Sequence, residues 1–192
     1  MLDRLIQEDT FYVKGQYHVN LRKYFEEYEK AGAFDEVLEA AGYEGKIFPA
    51  TRIPLDQSNE IVDQAAKKLG KTRKTAMIDF TRFLLEVDLN GLLRLILRMG
   101  GTQNVLKRSA QITTTYTNYF LVKVEDNQPG RCLISITFLR HYMDYVMPSI
   151  EGALTGLCNV CKTPLKRFAI ETEEPFRHEG HKMVKVLTVT EY

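Results

Sequence analysis

What the chain lacks bounds it first. Net charge is only +1 over 192 residues, so there is no basic excess of the kind that marks nucleic-acid binding. No apolar run approaches the ~18 residues that span a bilayer. The longest, Leu92–Met99, is broken by Arg94 and Arg98. The opening MLDRLIQEDT carries acids early and has no apolar core followed by a small-residue cleavage site, which argues against a signal peptide. Cysteine is scarce: three residues, an odd number, favour a reducing compartment, so a cytoplasmic setting is expected. Also missing are a phosphate-cradling glycine loop, a dinucleotide fingerprint and a nucleophile–base arrangement, so no enzyme is expected.

What is present is a core-forming chain. Its 44% apolar content suits one domain over residues 1–192, divided into an extension (1–16), a helical part (17–112) and a strand-rich part (113–192). After the extended Phe11-Tyr12-Val13, the set Leu21, Tyr24, Phe25 and Tyr28 falls on one helical face, with Gly32 as its stop. Phe34, Val37, Leu38 and Ala41 repeat the spacing before Gly42. Pro49 and Pro54 keep Lys46–Leu55 out of a helix interior. Asp56 or Ser58 then caps a helix with Ile61, Val62, Ala65, Ala66 and Leu69 inward, ended by Gly70. Thr72 starts another, burying Ala76, Phe80, Phe83, Leu84 and Val87; Leu92–Leu97 and a segment from Thr102 to Ala110 complete six.

From Ile112 the composition shifts to β-formers, and Thr113–Tyr119 is expected to open the sheet. Asn118–Glu125 and Arg131–Leu139 flank a turn at Asp126–Gly130, and a helix on MPSIEGALTGL follows. Leu165–Phe176 and Met183–Thr190 flank a second turn at His178–His181. Ile134, Ile136 and Phe138 alternate with Ser135 and Thr137, which predicts one buried and one wetter face. The expected class is α+β, N-terminal helices packed on an antiparallel ββαββ sheet.

In that order of elements, particular residues carry a resemblance: Ile53-Pro54-Leu55 before a helix, and Gly100-Gly101 before a helix running into Thr115-Tyr116-Thr117-Asn118-Tyr119. Glu151-Gly152-Ala153-Leu154 and Lys162-Thr163-Pro164-Leu165 continue it. Over residues 18–192 the chain resembles an uncharacterised paralogous family expanded in myxobacteria. More distantly it is similar to the superfamily of heme–nitric oxide/oxygen (H-NOX) sensors, 4-vinyl-reductase domains and a TRAPP vesicle-transport subunit. The resemblance implies a pocket between helices and sheet for a small apolar or acyl ligand. Its heme marker, Tyr-x-Ser-x-Arg, is not matched: after Tyr116 stand Asn118 and Phe120. None of His18, His141, His178 and His181 lies on a predicted helix just before that position. Zinc-binding cysteines of the 4-vinyl-reductase type are missing from the last hairpin. No cofactor is expected.

Cys158-Asn159-Val160-Cys161 and His178-Glu179-Gly180-His181 carry zinc's preferred ligand types. Some eleven extended residues between them would cover roughly 35 Å, so no metal is expected and the four stand only as a zinc alternative. Gly152 and Gly156, one turn apart, call for a close neighbour: the sheet, a twin helix across a dimer axis, or a ligand. The basic run Lys67, Lys68, Lys71, Arg73 and Lys74 reads as a solvated helix junction. The expectation is a non-enzymatic sensory domain, homodimeric and reporting to a separate signalling protein. Phe80, Phe83, Leu84, Tyr116, Gly152 and Gly156 are the residues expected to line its pocket. The alternative is an interaction or dimerisation module with the pocket filled.

Overall fold

A small two-stranded sheet ties residues 12–14 to residues 52–54. In the structure, a computed structural model describing residues 11–88, 115–128, 131–160, 168–172, 177–179 and 182–191, strand β1 (Tyr12–Lys14) pairs antiparallel with β2 (Arg52–Pro54). Helices α1 (Gly15–Tyr28) and α3 (Leu55–Lys68) each leave directly from one of these strands. Between them lies α2 (Ala33–Ala40), and α4 (Arg73–Asp88) follows α3. The helices expected over Leu92–Leu97 and Thr102–Ala110 lie outside the described residues.

Local chemistry accounts for most boundaries. Gly42 and Gly70 take positive φ (64° and 63°), and each closes its helix with a paired-hydrogen-bond stop. Tyr43 N–H reaches Leu38 O at 2.9 Å and Lys71 N–H reaches Ala66 O at 3.0 Å. The Thr72 hydroxyl accepts from the Thr75 N–H at 3.2 Å, so Thr72 caps α4 as its sequence position suggests. Two expected boundaries fall elsewhere. Gly32 does not stop α1, which ends at Tyr28; it precedes α2 in a left-handed conformation. Neither Asp56 nor Ser58 caps α3, because the helix begins at Leu55 straight after Pro54, and Ser58 turns inward.

The larger sheet is antiparallel throughout, in the order β3 (Phe120–Gln128), β4 (Arg131–Leu139), β7 (Lys182–Glu191), β5 (Phe168–Thr172), with β6 (Arg177–Glu179) also on β7. Thr115–Tyr119 does not open it. Instead Thr117 bridges Val13, and the Asn118 side chain accepts from Tyr12 N–H at 2.8 Å, joining the two sheets' margins. Ser135 and Thr137 are buried too, so the expected wetter face is closed off; Ser135 donates to Glu125 at 2.7 Å. Helix α5 (Met143–Val160) crosses between β4 and β5.

Among the described residues, two apolar clusters form the interior. One gathers α1, α2, α3 and part of α4 around Phe25, Phe34, Ile61 and Phe80. The other joins Leu84 and Leu85 of α4 to α5 and to Phe120, Ile136 and Phe138 of the sheet. Helix α4 serves both, and α5 lies tightly along it. A Cβ on Gly152 would sit 2.4 Å from the Ile78 carbonyl oxygen, and one on Gly156 would sit 2.8 Å from that of Arg82. The close neighbour that these glycines require is therefore α4, not the sheet.

Substitution at this contact sets a helix-propensity gain of about 1 kcal/mol for Ala over Gly against a backbone clash. Overpacking wins: Gly152→Ala is expected to lose about 1–3 kcal/mol of stability and Gly156→Ala less, as read from urea midpoints.

Candidate functional site

A cavity of about 100 Å³ lies at the seam of the two clusters, lined by α4 and α5 together with α1, α3 and the start of β3. Val62 and Met77 border it from one cluster, Leu84, Leu85, Ile150 and Leu157 from the other, and among the described residues no charged side chain lines it. Of the residues expected in its wall, Leu84 and Tyr116 are there. Phe80 and Phe83 are not: both rings pack edge-on against Tyr24, at 5.1 and 5.3 Å between centroids, and so belong to the helical cluster. Gly152 and Gly156 are not either, since the α4 backbone covers both; Ala153, one position on, borders the cavity instead.

Sequence reasoning named Tyr116 but missed the other polar residues of the wall, which come from α1, α3, α4, α5 and the approach to β3. The Tyr116 hydroxyl donates to Asp88, whose other oxygen accepts from Asn20 Nδ2 at 2.9 Å. Gln16 in turn donates to Asn20 at 3.2 Å, so one chain of hydrogen bonds joins α1, α4 and the approach to β3. Burial, and then the Asp88 hydrogen bond, raise the Tyr116 phenol well above its ordinary range. Thr117 donates to Tyr12 O at 2.9 Å and Ser149 to Tyr145 O at 2.8 Å. Ser58 meets His18 Nε2 at 2.9 Å. The Tyr17 and Thr81 hydroxyls also line the cavity, and both are buried without a hydrogen-bond partner.

His18 itself is fully buried beside the cavity on α1, and its Nδ1 has no partner. Burial lowers its pKa from 6.5 to about 3, so the ring is neutral near pH 7. A neutral imidazole donating from Nε2 to Ser58 leaves only an acceptor lone pair unsatisfied, the cheaper of the two arrangements.

The other candidate groups stand apart from the cavity. The basic run is largely paired: Lys68 with Glu36, Lys71 with Asp79 at 2.7 Å, and Arg73 with Asp63. Arg73 also lies over the Tyr145 ring at 4.6 Å. Such a run is a helix junction holding α3 to α4. Of the zinc alternative, Cys158 stands near the end of α5 and His178 in β6, while Cys161 and His181 lie outside the described residues. Among the described residues, no group of three or more His, Cys, Asp or Glu is placed to hold a metal ion. No described helix is long and apolar enough to cross a membrane.

This arrangement, helices over an antiparallel sheet with a cavity between, defines a known class of domain. The fold is that of H-NOX domains. A structure solved to probe heme distortion in the H-NOX family superposes with a TM-score of 0.68 at 15% identity, over 93% of this chain and 94% of that one. An oxygen-binding H-NOX domain related to soluble guanylate cyclases gives 0.65 at 14% identity, over 92% of each chain. An H-NOX protein from S. oneidensis, solved in its Fe(II)NO ligation state, gives 0.63 at 13%, over 92% of this chain and 99% of that one. No family model and no curated protein matches the sequence. At such identities the likeness is one of fold.

Heme does not fit the cavity that the described residues enclose. An apolar cavity of about 150 Å³ holds a benzene, and a porphyrin is several times larger. This one is about 100 Å³. The chain has four histidines; His18 faces Ser58, His141 is exposed, and none falls in residues 89–114.

The buried histidine makes stability depend on pH in a definite direction. His18 has a folded pKa below its ordinary 6.5, so the unfolded chain binds more protons. Its contribution is complete above about pH 6.5 and is lost as pH falls toward 3, with a slope nearing 1.4 kcal/mol per unit. Urea midpoints between about pH 6.5 and 5, above most carboxylate titration, should fall in the wild type and stay flatter in His18→Gln.

Proposed function

We propose that this chain is a non-enzymatic, ligand-binding sensory domain that uses the H-NOX fold to hold a small apolar molecule in place of heme. The observation that carries the reading is the uncharged, mainly apolar cavity at the meeting of α4 and α5. It supports a ligand site over a filled interaction module, in which the two clusters would close on each other. A ligand there touches α4 and α5 near the Asp88–Tyr116 connection, so its presence is coupled to how the sheet's approach segment sits on the helices. In this reading the output is a contact with a separate signalling protein or a twin subunit. The glycine face of α5 is not that contact, because α4 fills it.

The test adds hemin, and separately cyclopentane, to the purified protein. Hemin is expected to give no stoichiometric Soret band. Cyclopentane is expected to raise the thermal midpoint saturably, an effect removed by Ala153→Leu, which fills the cavity. A one-to-one Soret complex would overturn the heme-free reading, and indifference to cyclopentane would favour the filled module.

A further inference from the structure

Most polar groups around the cavity are already engaged inside the protein. Tyr116, Thr117, Ser149 and Ser58 each bond to a named partner. Tyr17 and Thr81 differ. Both hydroxyl oxygens are out of solvent, both belong to the cavity wall, and neither meets a hydrogen-bond partner. Thr81 sits within α4, where a threonine commonly turns its hydroxyl back to the carbonyl one turn earlier. It does not do so here. Thr81 stands near enough to the Tyr17 phenol to lower its pKa slightly against burial, but the pair does not reach hydrogen-bond distance and angle. A buried hydroxyl without a partner costs stability, and two at one cavity need an explanation in what the cavity receives.

We propose that the ligand is an uncharged carbonyl compound, a ketone or aldehyde on a small hydrocarbon frame, whose oxygen accepts from both Tyr17 and Thr81. This deepens the sensory reading and rests on it. A carbonyl oxygen has two lone pairs and no proton, which matches two donors side by side. Burial keeps the Tyr17 phenol protonated and thus a donor. Charge on the ligand is excluded by the wall. Among the described residues no lining side chain is ionic, and His18 behind Ser58 is neutral, so a carboxylate or ammonium would be desolvated there without a counter-charge. Volume limits the frame to about the size of one ring. The leucines and Ile150 then supply apolar contact to the remainder.

The probes are cyclopentanone, labelled with carbon-13 at its carbonyl, and cyclopentane, each added to the full chain. Cyclopentanone is expected to bind about tenfold more tightly than cyclopentane, the ratio that one ordinary hydrogen bond supplies. Its carbonyl stretch should fall below the value in hexane. Tyr17→Phe and Thr81→Val should each weaken cyclopentanone by about tenfold and leave cyclopentane unchanged. Without ligand, both variants should melt no lower than the wild type, because each removes an unpartnered buried hydroxyl. Equal affinity for the two probes, or an unshifted carbonyl stretch, overturns the carbonyl assignment while the apolar pocket stands. Failure of both probes, with water alone in the cavity, overturns the assignment and the sensory reading together. Variants that melt lower show the hydroxyls bonded within the protein, which also sinks it.

Discussion

The close approach of α5 to α4 is the constraint on which the rest of the structure depends. Gly152 and Gly156 bring the two backbones to a distance that no other residue permits, with the Ile78 and Arg82 carbonyls in the space a Cβ would occupy. Helix α4 therefore acts as a shared wall. Its Phe80 and Phe83 complete the aromatic cluster with Tyr24 and Phe25, while Leu84 and Leu85 extend into the sheet-side core. Two clusters built on one helix meet along its length, and their side chains do not fill all the space at that seam. The cavity is that space.

The wall of the cavity is tied down by polar contacts as well as by packing. The Gln16–Asn20–Asp88–Tyr116 chain crosses from α1 to the segment that leads into β3, and the Thr117 and Asn118 contacts to Tyr12 hold that segment to the first strand. His18 and Ser58 fasten α1 to α3 behind the wall. These links are buried or half-buried, where a satisfied polar pair fixes one arrangement more strongly than apolar contact does. Against that background, the Tyr17 and Thr81 hydroxyls stand out as buried and unpartnered, while those of Ser58, Tyr116, Thr117 and Ser149 are bonded.

Much of the architecture was legible residue by residue. Gly42, Gly70 and Thr72 mark helix ends because left-handed φ and side-chain capping are local chemistry. Hydrophobic spacing placed α1 to α4, and the β-rich stretches placed the hairpin β3–β4. Legibility failed where a residue's partner is distant in sequence. Ser58 looks like a cap until His18, forty positions away, takes it inward. Thr115–Tyr119 looks like a strand opening until Tyr12 competes for it. The aromatic residues Phe80 and Phe83 look suited to a pocket, and Tyr24 claims both.

The sequence by itself determined the class of fold, the helix stops at Gly42 and Gly70, the β3–β4 hairpin and the need for a close neighbour at Gly152 and Gly156. These follow from propensity, periodicity and the cost of glycine, which depend on residues near one another. Only the tertiary structure decided that the neighbour is α4, that the cavity is too small for a porphyrin, and that its free donors are Tyr17 and Thr81. Those facts depend on which helix faces which, and on whether a hydroxyl meets a partner from another segment. Neither is written in the local pattern.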